Sequence, residues 1–105
     1  MVGGRARARP PRQLTRDPKA WPEQPSCDPG AEAVRQIARA LAAVLRERDL
    51  SLRAAAVGSG VNRQAIADLL AGHSWPDVAT VARLADFTGS RLWPPRTMDD
   101  RTRRH

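Results

Sequence analysis

Between Asn62 and Asp68 the chain reads N-R-Q-A-I-A-D, setting two amides, a guanidinium and a carboxylate close together. These groups carry donors and acceptors that match base edges. A glutamine amide pairs bidentately with adenine, arginine reaches guanine or a phosphate, and an aspartate accepts from the amino group of cytosine. With Ile66 set at zero on a helical wheel, Gln64 falls at about 160°, Asp68 at about 200°, Ala67 at about 100° and Ala71 at about 140°. Leu69 and Leu70 flank Ile66 on the other side. One face is therefore apolar, and the other is polar with little bulk to hold it away from a groove. An ordinary amphipathic surface helix has the same wheel, so the punctuation around this segment has to narrow the reading.

That punctuation is strong. Ser51 precedes the apolar run Leu52, Ala55, Ala56 and supplies the side-chain oxygen that satisfies free N–H groups at a helix start. The helix it opens must stop within two turns, because Gly58 and Gly60 are poor helix residues and Gly60 stands where a tight turn needs a positive φ. Asn62, the only asparagine of the chain, is placed as the cap of a second helix over 63–71, and Gly72 ends it. Residues 51–72 thus read as two short helices around a glycine turn, a unit that presents one polar helix face to a DNA groove.

Ala56, Gly60, Val61, Ile66 and Leu69 resemble the Ala, Gly and hydrophobic positions of the phage-repressor and Cro type of helix-turn-helix (XRE-like, lambda-repressor-like). The likeness extends over about residues 30–94, and W-P-D-V-A-T-V-A-R-L-A-D-F-T-G-S-R-L-W-P resembles the fourth helix and following turn of that family. It implies an all-α bundle of four to five helices, with double-stranded DNA touched by Asn62, Arg63 and Gln64 at the start of the recognition helix and by Asp68 one turn on. Ala67 lies on the same face. The loop from Gly72 to Trp75 would approach phosphates, making His73 and Ser74 backbone contacts. Three positions depart from the family pattern. Leu52 replaces a common Gln, which weakens one phosphate contact that Arg53 takes over, while Ala55 and Thr88 stand where larger apolar residues are usual and imply light packing.

The rest of the domain follows from caps and periodicity. A first helix opens at Asp28 and Pro29 and runs to about Arg48, with a core stripe of Val34, Ile37, Ala38, Leu41 and Leu45 and a solvated basic stripe of Arg35, Arg39 and Arg46. A last helix is expected from Pro76, with Asp77 in its first turn, Val78, Val81, Ala82 and Ala85 on one face, and Gly89 at its end. Leu92 and Trp93 fold back on the core before Pro94 and Pro95. Trp75 and Trp93 read as packing anchors, whereas Trp21 has no evident core to join.

A chain of 105 residues holds at most one domain. Net charge is +7, of which +3 falls on residues 1–29, +2 on 30–94 and +2 on 95–105. Six of the nine prolines lie in the first 29 residues, so 1–29 reads as a disordered basic arm and 95–105 as a disordered basic tail. Arginine outnumbers lysine seventeen to one, as GC-rich bacterial or phage codons would give, so the arm's charge is not by itself evidence of DNA contact. Cys27 has no partner for a disulfide or a metal site, and a lone His73 makes a metal role improbable. No apolar run approaches the roughly 20 residues of a membrane span, and a cytoplasmic, nucleoid-associated protein fits.

Catalysis is disfavoured, since there are no paired carboxylates on an ordered element, no Cys-His or Ser-His constellation and no phosphate-cradling glycine loop. No cofactor is expected. The leading reading is a sequence-specific transcriptional regulator of bacterial or phage type. Its rival is a protein-interaction module, such as the antitoxin of a toxin–antitoxin pair, whose arm would wrap a protein partner. The residues after Pro94 are too few and too polar for a dimerising helix, which leaves both a weak homodimer on DNA and a monomer open.

Overall fold

Among the described residues, each α-helix starts at a side chain that takes up N–H groups with no partner inside the helix, and three of the four stop at a glycine. The computed structural model describes residues 9–94, in which α1 spans Pro29–Glu47, α2 Leu52–Ser59, α3 Arg63–Ala71 and α4 Val78–Thr88. Asp28 accepts from Ala31 N–H at 2.9 Å, Ser51 from Ala54 at 3.0 Å, Asn62 from Gln64 at 2.7 Å and Ala65 at 3.3 Å, and Asp77 from Thr80 at 2.7 Å. Gly60, Gly72 and Gly89 adopt the left-handed conformation that ends α2, α3 and α4. Helix α1 ends instead through Asp49, at φ 54, with Leu50 N–H donating to the Leu45 carbonyl at 2.8 Å.

Helix α1 packs against α3, and α2 packs against both α3 and α4. Leu41, Ile66, Leu69 and Leu84 are fully buried where these helices meet, with Leu92 folded back under them. The five-residue stripe expected on α1 is buried throughout. Two expectations for α4 need correction. The helix starts at Val78 with Asp77 as its cap, not at Pro76, and its inward face is Val81, Leu84, Ala85 and Thr88. Val78 is 71% exposed and Ala82 is exposed as well. Thr88 explains the shift: its hydroxyl is buried but donates to the Leu84 carbonyl at 2.9 Å, so a polar residue occupies a core position without an unpaired group. Trp93 does not fold back with Leu92 and is 39% exposed.

The reading of residues 1–29 as a disordered arm does not hold for residues 9–28, which fold onto the helices. Residues 1–8 and 95–105 lie outside the described residues. Two short 3-10 turns, Pro11–Leu14 and Pro18–Ala20, pack together, and the first rests on α1 with Pro11 buried. A single antiparallel bridge joins Thr15 to Ser26, and Ser26 Oγ donates to the Leu14 carbonyl at 2.6 Å. The segment is held at both ends by polar groups rather than by an apolar stripe, which is why composition alone suggested disorder. On α1, Glu32 accepts from Ser26 N–H at 2.9 Å and from the Arg35 guanidinium at 2.6 Å and 2.9 Å, while Arg35 Nη1 donates to the Pro22 carbonyl at 3.0 Å. Arg35 is therefore a buried tie between segment and helix, not part of a solvated basic stripe; Arg39 and Arg46 are exposed as expected.

Gly58 has a second role besides weakening the end of α2. A Cβ there would lie 2.0 Å from Cε1 of Phe87, so the bare backbone of α2 seats the Phe87 ring of α4. Overpacking of this kind costs about 1–3 kcal/mol, whereas Gly to Ala in a helix gains up to about 1 kcal/mol. Gly58→Ala is therefore expected to destabilise the protein by about 1 kcal/mol in urea unfolding. In a Phe87→Ala background the same change is expected to stabilise, because only the helix-propensity gain is left.

Hydrogen bonding from Arg35, against the opposing effect of burial, pulls the Glu32 carboxyl from 4.5 to about 2. A folded-state pKa below the unfolded one stabilises above the unfolded value, and that stabilisation is lost as pH falls toward the folded value. Urea midpoints are expected to drop between pH 4.5 and about 2, and Glu32→Gln should flatten the drop while lowering stability at neutral pH.

Candidate nucleic-acid interface

Helix α3 turns Ile66 and Leu69 wholly into the core and leaves Arg63 and Gln64 exposed. Ala67, Asp68 and Ala71 are half-buried on the flank between, which gives the outward face the low relief expected from the wheel. Asn62 is spent on capping: its Oδ1 accepts from two N–H groups of α3, so its amide nitrogen is the part left for other contacts. Arg53 is exposed in the first turn of α2, one residue past Leu52, and on the far side of the glycine turn from Arg63.

Gln64 and Asp68 are joined. The Gln64 amide N–H donates to Asp68 Oδ1 at 3.0 Å, one helical turn along. An ionised carboxylate only accepts, so the amide must present its nitrogen to Asp68 and its oxygen away from it. This pairing holds a long, flexible side chain in one orientation on the exposed face.

The loop after α3 uses its first backbone N–H groups to close the helix. Gly72 N–H donates to the Leu69 carbonyl at 3.1 Å and His73 N–H to the Asp68 carbonyl at 2.8 Å. The His73 backbone is thus engaged in closing the helix and is not free for a phosphate, which leaves its exposed imidazole as the group that faces outward. Ser74 is half-buried beside it.

What the sequence did not reveal is how the other end of α3 is held. Trp21 Nε1–H donates to the Leu70 carbonyl at 3.0 Å, Arg12 Nη1 approaches the Ala71 carbonyl at 3.5 Å, and Arg12 N–H donates to the Gly72 carbonyl at 2.9 Å. The N-terminal segment thereby takes up three of the carbonyls that a helix end leaves without partners. The indole lies on Gly72, where a Cβ would come within 2.5 Å of the ring. Trp75, in the loop, donates its Nε1–H to the Arg9 carbonyl at 2.9 Å. The signal available in sequence was that each indole has one donor that needs a partner when packed.

Among the described residues there is no group of three or more His, Cys, Asp or Glu side chains that could hold a metal ion, and Cys27 is exposed. No helix of the described residues is long and apolar enough to cross a membrane.

Among curated proteins and among solved structures, nothing matches this chain. A family model described as Helix-turn-helix matches residues 41–92, starting midway along α1 and ending at the buried Leu92. The N-terminal segment and the first half of α1 lie outside that match. Since the matched residues are those that build the capped helix pair and brace it with α4, the chain belongs, over residues 41–92, to the helix-turn-helix family of DNA-binding regulators, of phage-repressor and Cro (XRE-like) type.

Proposed function

We propose that this protein is a sequence-specific transcriptional regulator of bacterial or phage type that inserts α3 into the major groove of double-stranded DNA. The observation that carries the reading is the Gln64–Asp68 hydrogen bond on the exposed face of α3. A glutamine amide has two N–H groups and an oxygen. One N–H is held by Asp68, while the other and Oε1 together form the pair of contacts that adenine N7 and N6 accept and donate. Gln64 is thus ordered before it meets a base, and less side-chain entropy is lost on binding. Arg63 beside it reaches guanine or a phosphate, and Asn62, through its free amide nitrogen, reaches a phosphate.

The remaining candidates divide by charge and place. Arg53 is the cation of α2 nearest to the groove wall in this docking, so it serves affinity rather than sequence. Ala67 allows close approach or contact with a thymine methyl. His73 acts through its imidazole and Ser74 through its hydroxyl, both toward the phosphate strand. Asp68 is negative and repels phosphate, which makes its orienting role toward Gln64 the reason it is useful here.

Binding fragments selected from a random duplex pool, then measured against a panel of single-base changes, tests these roles. Gln64→Ala is expected to cost about 1–3 kcal/mol on the selected sequence and much less on others, flattening discrimination. Asp68→Ala should also flatten discrimination while raising affinity for unselected duplex. Arg53→Ala should weaken all sequences alike and make the slope of log affinity against log salt shallower by about 0.9. An equal loss on every sequence for Gln64→Ala would remove that residue from base reading.

A further inference from the structure

We propose that the folded N-terminal segment is a second backbone-binding element of the protein, and that the groove between it and the loop after α3 takes a phosphate of duplex DNA. The proposal rests on the docking of α3 given above. The groove, about 560 Å³ in volume, is walled on one side by Arg12, Asp17 and Lys19 and on the other by His73. Arg12 is fixed there, with Nε donating to the Pro18 carbonyl at 2.7 Å while Nη1 faces the Ala71 carbonyl. Its positive charge thus stands in the wall of the groove. Lys19 is exposed and makes no ion pair among the described residues, where the one ion pair is Glu32–Arg35. Asp17 is the opposing charge, and its carboxylate is turned back to accept from Lys19 N–H at 3.1 Å.

Position argues for DNA. A helix of nine residues is about 13 Å long, close to the roughly 12 Å width of the major groove. Once its exposed face is seated, the residue just beyond its C-terminal end meets the sugar-phosphate wall. Gly72 caps that end, and the next residue, His73, shares its groove with Lys19 and Arg12. The segment cannot drift from this position without breaking the hydrogen bonds from Trp21 and Arg12 to the last carbonyls of α3. The cations of the segment therefore move with the recognition helix as one body, and binding one orients the other. The basic N-terminal residues then serve as a fixed part of the DNA surface, and their contribution is blind to sequence.

The test measures fluorescence anisotropy of a labelled mixed-sequence duplex with the full chain, at salt concentrations from about 50 to 200 mM. Lys19→Gln is an exposed change that leaves the fold intact. It is expected to weaken binding several-fold and to make the salt slope shallower by about 0.9, with Lys19→Arg restoring both. Asp17→Asn, which keeps the acceptor for Lys19 N–H, should strengthen binding. Trp21→Ala, which removes one of the three bonds from the segment to the last carbonyls of α3, should shift the slope in the same direction as Lys19→Gln. If Lys19→Gln and Asp17→Asn bind like the parent while Arg63→Gln is weakened, the segment does not touch DNA and the proposal is overturned with the docking of α3 intact. If the parent shows no salt-dependent binding to any duplex, the docking of α3 and this proposal fall together.

Discussion

Helix α3 has nine residues, fewer than an isolated helix needs to persist in water, so its geometry is imposed from outside. At its start, one Asn62 oxygen gathers two N–H groups. At its end, five successive carbonyls from Asp68 to Gly72 face donors from His73, Gly72, Trp21 and Arg12. The guanidinium of Arg12 also places a positive charge where the helix dipole is negative. Gly72 is the point at which these demands meet. It must take φ +74 to turn the chain and must lack a Cβ to let Trp21 lie on it. A residue with a side chain would fail on both counts, and the orientation of Gln64 and Arg63 would fail with it.

The core tolerates small and polar residues because each is compensated locally. Ala55 is fully buried and Gly58 has no side chain, so α2 approaches α4 closely enough for Phe87 to fill the space between them. Thr88 gives its hydroxyl proton to the turn before it and accepts from Ser90 N–H at 3.2 Å. What looked in sequence like missing bulk is a closer approach of helices, with the large side chains concentrated at Leu41, Ile66, Leu69, Leu84 and Leu92.

The helices and their ends were legible because their causes are local. Ser51, Asn62, Gly60 and Gly72 act within a few residues of themselves, and periodicity carried the stripes of α1 and α3. The phase of α4 was misplaced because the expected face was started at Val78 and passed over Leu84, whereas the buried face runs through Val81, Leu84 and Thr88. Residues 9–28 were illegible for the opposite reason. Their order depends on bonds such as Arg12 to Ala71, 59 positions away in sequence, and on Glu32 and Arg35, whose pairing across one turn looked like an ordinary solvated face. Of the candidate site, the exposed polar face of α3 was legible by type and spacing, but the Gln64–Asp68 pairing was not, since the same spacing also fits two independent side chains.

The proposed docking of α3 separates what selects from what attracts. Arg63 and Asp68 nearly cancel, so α3 brings almost no net charge to a polyanion. Affinity that depends on counterion release must therefore come from cations set around the helix. Arg53 lies before the glycine turn, and Arg12 and Lys19 lie beyond Gly72 on a segment that no hydrophobic periodicity announces. Because that segment is bonded to the end of α3, the neutral helix and its flanking charges form a single rigid surface. A near-neutral reading helix has an advantage in this arrangement. In the proposed docking, charge on the flanks adds a constant to binding and leaves the differences between sequences to the exposed side chains of α3, Gln64 and Arg63.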